Sequence, residues 1–66
     1  MNIIVNGEAR QLPDPTTAAA LIQLLGLEGK RIAMEVNREI VPRSEQAICP
    51  LQEGDVVEIV FAVGGG

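Results

Sequence analysis

Side chains that could do covalent or proton-transfer chemistry are almost missing from this sequence. It has no His, Tyr or Trp, and its only thiol is Cys49. General acid–base work near neutral pH falls mostly to His or to a carboxylate whose pKa burial has raised. Nucleophilic catalysis needs an activated Ser, Cys or Lys with a base beside it. Cys49 stands between Ile48 and Pro50 and has no His to activate it, so it reads as a small half-buried hydrophobe rather than a reactive site. No Cys/His cluster and no Asp/Glu loop at calcium spacing is present, so no metal site is expected. The chain reads as something acted upon, not as an enzyme.

One reactive group remains, the carboxylate that follows Gly64-Gly65-Gly66. Glycine loses more conformational freedom on ordering than any other residue and has no side chain to pack. Three of them after a strongly β-forming run predict an exposed tail over 64–66, attached to a domain over 1–63. Without Cβ atoms such a tail can enter a narrow tunnel in another protein, and its terminal carbonyl is unshielded. A carboxylate is a poor electrophile until it acquires a good leaving group, which adenylation by ATP would supply. The chemistry would then lie in a partner's active site, in keeping with the missing toolkit here. The plain alternative is an inert, frayed terminus.

Sixty-six residues make one small domain. Apolar residues account for 47% of the chain but Phe61 is the only aromatic, so the core must be built from Val, Ile, Leu, Ala and Met. Five Lys and Arg against nine Asp and Glu give a net charge of −4. Nucleic-acid binders carry a basic stripe and often aromatics that stack on bases; both are missing, and nucleic acid is excluded as a partner. The acidic balance suits steering toward a basic patch on a protein, or simply solubility. No segment has the pattern of a signal peptide or membrane helix, so no membrane association and a cytoplasmic location are expected.

The elements that must hold the tail can be placed from periodicity. Ile3 and Val5 alternate, Asn6-Gly7 is a tight-turn dipeptide, and Glu8 to Leu12 returns as a second strand. Pro13 and Pro15 end it. Thr16 or Thr17 can cap a helix of about three turns, whose stripe is Ala18, Leu21, Ile22 and Leu25 and whose end is marked by Gly26. From Arg31 the period becomes two: Ile32, Met34 and Val36 face one way, Ala33 and Glu35 the other. A turn near Asn37-Arg38 leads to a short edge strand at Ile40-Val41, stopped by Pro42. Ser44 to Pro50 is an irregular crossing or a single helical turn. Gly54-Asp55 then opens the strongest strand, Val56 to Val63. The expected class is α+β: β-β-α-β-β-β, a mixed sheet of about five strands with one helix across one face, which is a ubiquitin-like β-grasp.

If Val57, Ile59 and Phe61 face the helix, then Val56, Glu58, Val60 and Ala62 lie on the open face, where Ile4 can join them. That makes a candidate docking face for a partner enzyme. It equally fits an ordinary β-branched sheet surface.

The stretch Ile3-Ile4-Val5-Asn6-Gly7, the run Val36 to Arg43 (VNREIVPR), and Gly54 to Val60 (GDVVEIV) followed by Val63-Gly64-Gly65-Gly66 together resemble the ThiS family. Its members are sulfur carriers of bacterial thiazole (thiamine) biosynthesis, and the likeness runs over essentially the full length. The resemblance implies that a ThiF-like adenylyltransferase uses ATP and Mg²⁺ to adenylate the Gly66 carboxylate. A persulfide charged by a cysteine desulfurase then displaces AMP to leave a thiocarboxylate, and thiazole synthase (ThiG) takes the sulfur. Gly64 and Gly65 would be needed for entry into the partner active sites. No tightly bound cofactor is implied. The nearest alternative is a MoaD-like small subunit of molybdopterin synthase or a related modifier, although Phe61-Ala62-Val63 stands where that group carries prolines and a serine. An alternative of another class is a β-grasp interaction module with an inert tail.

Overall fold

A computed structural model describes residues 1–61. Strands β1 (Asn2–Val5) and β2 (Glu8–Gln11) form an antiparallel hairpin, with Val5 opposite Glu8. The two residues between them, Asn6 and Gly7, have φ of 49° and 82°. Two consecutive positive φ values give the turn whose twist matches that of the strands it joins. β2 ends one residue earlier than expected. Leu12 leaves the strand to enter the core, while its backbone stays paired with Met1 through Leu12 N–H to Met1 O at 2.8 Å.

Helix α1 (Ala18–Leu24) is two turns long, not three. Thr17 caps it, its hydroxyl accepting from the Ala20 N–H at 3.1 Å. The other end explains the shortfall. Gly26 takes φ of 73°, its N–H bonds to Gln23 O, and Leu27 N–H reaches back to Ile22 O, both at 3.0 Å. This paired closure turns Leu25 into the cap residue and stops the helix there. A helix of seven residues is not stable alone in water; Ala18, Leu21 and Ile22 hold it by burial against the sheet.

Strands β3 (Ile32–Val36) and β4 (Glu39–Ile40) form a second hairpin, turned by Asn37 and Arg38 at φ of 52° and 70°. The edge strand is thus Glu39–Ile40 and not Ile40-Val41. Residues Arg43–Ile48 cross as a 3₁₀ helix, and Thr16, Ala18, Cys49 and Leu51 exchange backbone bonds that tie this crossing to the start of α1. Cys49 is half-buried and packed against the core.

Strand β5 (Val56–Phe61) lies at the centre of the sheet, whose order is β2-β1-β5-β3-β4. It runs parallel to β1 and antiparallel to β3. Ile3, Val5, Met34, Val57 and Ile59 point to one face and meet Leu12, Leu21, Ile22 and Leu51, which closes the core between sheet and helix. The expected mixed five-stranded sheet with a single helix is present.

Candidate functional site

The candidate site is the end of the chain and the strand that delivers it. β5 is registered with β3 from Val57 to Phe61, with Val36 opposite Val57 and Ile32 opposite Phe61. Its other flank is different. β1 covers it only at Ile4–Val56 and Val5–Val57, because β1 then turns away at Asn6. The Asn6 side chain takes over the pairing: its Oδ1 accepts from Ile59 N–H at 2.7 Å and its Nδ2 donates to Ile59 O at 3.2 Å. A primary amide offers the same donor and acceptor as a peptide unit, so the ladder continues past the end of the strand.

Asn37 does the corresponding work at the start of β5. Its Oδ1 accepts from Val56 N–H at 2.9 Å, its Nδ2 donates to Asp55 Oδ1 at 3.0 Å, and its own N–H donates to Val56 O at 2.7 Å. Both asparagines sit in positive-φ turns, a conformation in which Asn is several-fold enriched. Sequence reasoning placed both turns but missed what their side chains hold. A signal was present: Val5-Asn6-Gly7-Glu8 and Val36-Asn37-Arg38-Glu39 share the pattern Val-Asn-x-Glu.

Of the residues expected on the open face, Ile4, Val56, Glu58 and Val60 all lie there and are exposed, Ile4 at 40%, Val56 at 43% and Val60 at 56%. They do not make one apolar patch. Ile4 and Val56 are neighbours at one end, Val60 stands opposite Ala33 at the other, and Glu58 opposite Glu35 lies between. Directly opposed like charges weaken a sheet, so this carboxylate pair is a polar break in the face. Phe61 keeps the parity of Val57 and Ile59 yet is half exposed; the buried core ends at Ile59 on this strand. Ala62, Gly64, Gly65 and Gly66 lie outside the described residues.

Among the described residues no three of Cys, Asp and Glu gather closely enough to hold a metal ion. No helix among them is long and apolar enough to cross a membrane. What the arrangement can do is hold a strand firmly at the middle of a sheet and present its outgoing end.

The comparisons with known proteins point the same way. A family model described as the ThiS family matches residues 3–66. The sulfur carrier protein ThiS of Thermus thermophilus is 37% identical over 62 residues, covering 94% of this chain and 95% of that one. A thiazole synthase of Paramagnetospirillum magneticum is 41% identical over all 66 residues. The chain spans only about a fifth of the length of the thiazole synthases it matches. The crystal structure of the thiamine biosynthesis protein ThiS from Geobacter metallireducens superposes with a TM-score of 0.86, at 26% identity and over the whole of both chains. With its mixed sheet, single helix and central last strand, the chain belongs to the ThiS family and has its ubiquitin-like β-grasp fold.

Proposed function

We propose that this chain is a sulfur carrier for thiazole formation in thiamine biosynthesis, and that Gly66 carries the sulfur. The reading requires a free carboxylate on Gly66. A ThiF-like adenylyltransferase attaches AMP to that carboxylate from ATP and Mg²⁺, with pyrophosphate leaving. The outer sulfur of a persulfide, supplied through a cysteine desulfurase, attacks the acyl carbon and AMP departs with the carboxylate oxygen. A thiol then cleaves the S–S bond and releases the thiocarboxylate. Thiazole synthase is the acceptor. The chain contributes no catalytic side chain; it contributes a tail, Gly64 to Gly66, that fits a narrow active site.

The observation that carries the reading is the family match running through to residue 66, with β5 at the centre of the sheet and leading toward that end. The likeness to thiazole synthases supports the choice of acceptor. The open-face residues Ile4, Val56, Glu58 and Val60, which strand alternation expects Ala62 to join, are the proposed docking surface for the partner enzymes. Intact-protein mass spectrometry tests the function. Incubation with the adenylyltransferase, ATP, Mg²⁺ and a persulfide donor should add the mass difference of one oxygen replaced by sulfur. Deleting Gly66 should abolish the gain. No gain, with an enzyme shown to be active on another carrier, would refute the reading.

A further inference from the structure

Beside the outgoing end of β5 lies a depression of about 330 Å³ lined by Arg31, Ile32, Ala33, Arg43, Val60 and Phe61. Its floor is apolar and its two charged groups are both guanidinium; no carboxylate lines it among the described residues. Arg43 Nη2 also donates to the carbonyl of Lys30 at 3.3 Å, which brings the chain segment of a third cation to the same end. Two of the five cationic residues therefore line the groove where β5 ends, with the backbone of a third, Lys30, beside them, in a molecule whose net charge is −4. Arg10 on β2 and Arg38 in the second hairpin turn are the other two.

Residue 62 follows directly on Phe61, so any enzyme that takes residues 62–66 into its active site must lie over or beside this groove. An apolar floor flanked by guanidinium forks matches a protein segment that carries Asp or Glu beside an apolar side chain. Guanidinium binds a carboxylate through two parallel hydrogen bonds, and Val60 and Phe61, each at least half exposed, are there to be covered. A hydrated phosphate chain would leave that floor bare. Charge steering matters most when two free proteins first meet, and the adenylating enzyme is the first partner that the carrier reading brings to the unmodified chain.

We propose that the Arg31–Arg43 groove docks an acidic, partly apolar segment of the enzyme that adenylates the tail. The proposal rests on the carrier reading, and it places a local basic contact on a chain whose overall charge has the opposite sign. The guanidinium groups hold the partner's carboxylates while Val60 and Phe61 pack against its apolar side chain.

Single charge reversals test it, with the pyrophosphate-release rate measured against carrier concentration at several ionic strengths. Arg31→Glu, Arg43→Glu and Arg10→Glu each take the net charge from −4 to −6, so they differ only in where the charge is changed. At low salt, Arg31→Glu and Arg43→Glu should each raise the KM for the carrier about tenfold, with kcat unchanged and the effect shrinking as salt is added. Arg10→Glu should raise it much less. Equal effects from all three would show a net-charge effect and overturn the proposal. A raised KM for ATP instead would make the groove a nucleotide contact, and a lowered KM for the carrier would mean that it holds the chain's own tail; either result also overturns it. Should Arg43→Glu loosen the contact with Lys30 and lower the melting temperature, the exposed Arg31→Glu still decides the matter. If the wild-type chain is not adenylated at all, the carrier reading fails; if it is adenylated and Arg31→Glu matches Arg10→Glu, only the groove fails.

Discussion

The carboxamide of Asn6 pairs with both backbone polar groups of Ile59, a residue 53 positions away, at 2.7 and 3.2 Å. It does so from a turn with φ of 49°, so one residue both reverses the first hairpin and extends the ladder on the central strand. The two roles separate by substitution. Asn6→Gly keeps the positive φ but removes the amide. Loss of two partly buried hydrogen bonds should cost about 1–3 kcal/mol, and urea unfolding should show it as a lower midpoint with an unchanged slope. Amide exchange at Ile59 should quicken as well. A midpoint equal to wild type would mean that water replaces the carboxamide without loss.

Arg38 occupies the second turn position at φ of 70°, where an L-residue with a long side chain is strained by about 1–2 kcal/mol. Arg38→Gly gives this hairpin the Asn-Gly dipeptide the first one already has. It should raise stability by about 0.5–1 kcal/mol once the extra chain entropy of glycine is set against the relief. For a domain of this size that corresponds to a rise in Tm of roughly 2–8 °C, readable by calorimetry.

Met34 is fully buried at the middle of β3 against the helix. Met34→Ala should cost about 2–5 kcal/mol through lost burial and the cavity left behind. Total stability at this length is roughly 3–10 kcal/mol, so the variant should be partly unfolded at 37 °C. Ile40→Ala on the exposed edge strand should stay within about 0.5 kcal/mol of wild type. Circular dichroism melts of the pair check that contrast.

Thr17 is the only side chain that caps the two-turn helix. Thr17→Ala should cost about 0.5–2 kcal/mol, while Thr17→Ser should restore most of it. Because Thr17 itself does not line the groove beside the outgoing end of β5, sulfur loading measured well below the melting temperature should be unaffected.

Val60→Asp separates docking from folding. Val60 is 56% exposed and stands opposite Ala33, so the unfolding midpoint should move little. The kcat/KM for adenylation should fall about tenfold if this end of the open face meets the enzyme, a loss of roughly 1.4 kcal/mol in transition-state binding. Undiminished turnover would leave Val60 as an ordinary sheet-surface residue.

Much of the fold could be read from local patterns because its punctuation is local. Asn6-Gly7, the alternation of Ile32, Met34 and Val36, and Gly26 after the helical stripe each act within a few residues, and each landed where its chemistry put it. Helix length was harder to read. Leu25 continues the apolar stripe, but the closure through Gly26 and Leu27 removes it from the helix, and that competition does not show in periodicity. The Asn6 and Asn37 bonds to β5 join residues 53 and 19 positions apart, so only the repeated Val-Asn-x-Glu hinted at them. The division of the open face by Glu35 and Glu58 depends on register between strands, which alternation within one strand cannot give. Arg31 and Arg43 are twelve positions apart in sequence and come together only where the first residue of the 3₁₀ crossing lies beside the start of β3.

The central place of β5 also decides how the molecule answers mechanical load. On the proposed carrier reading, drawing the tail into a tunnel would load β5 along its axis. At the edge of a sheet such a strand would peel from a single neighbour. Here the load falls in shear on rungs to β1 and β3 together, with the two asparagines adding further rungs. Those bonds must yield as a group rather than in succession, so on the proposed carrier reading an enzyme would grip the glycine end without unravelling the described domain behind it.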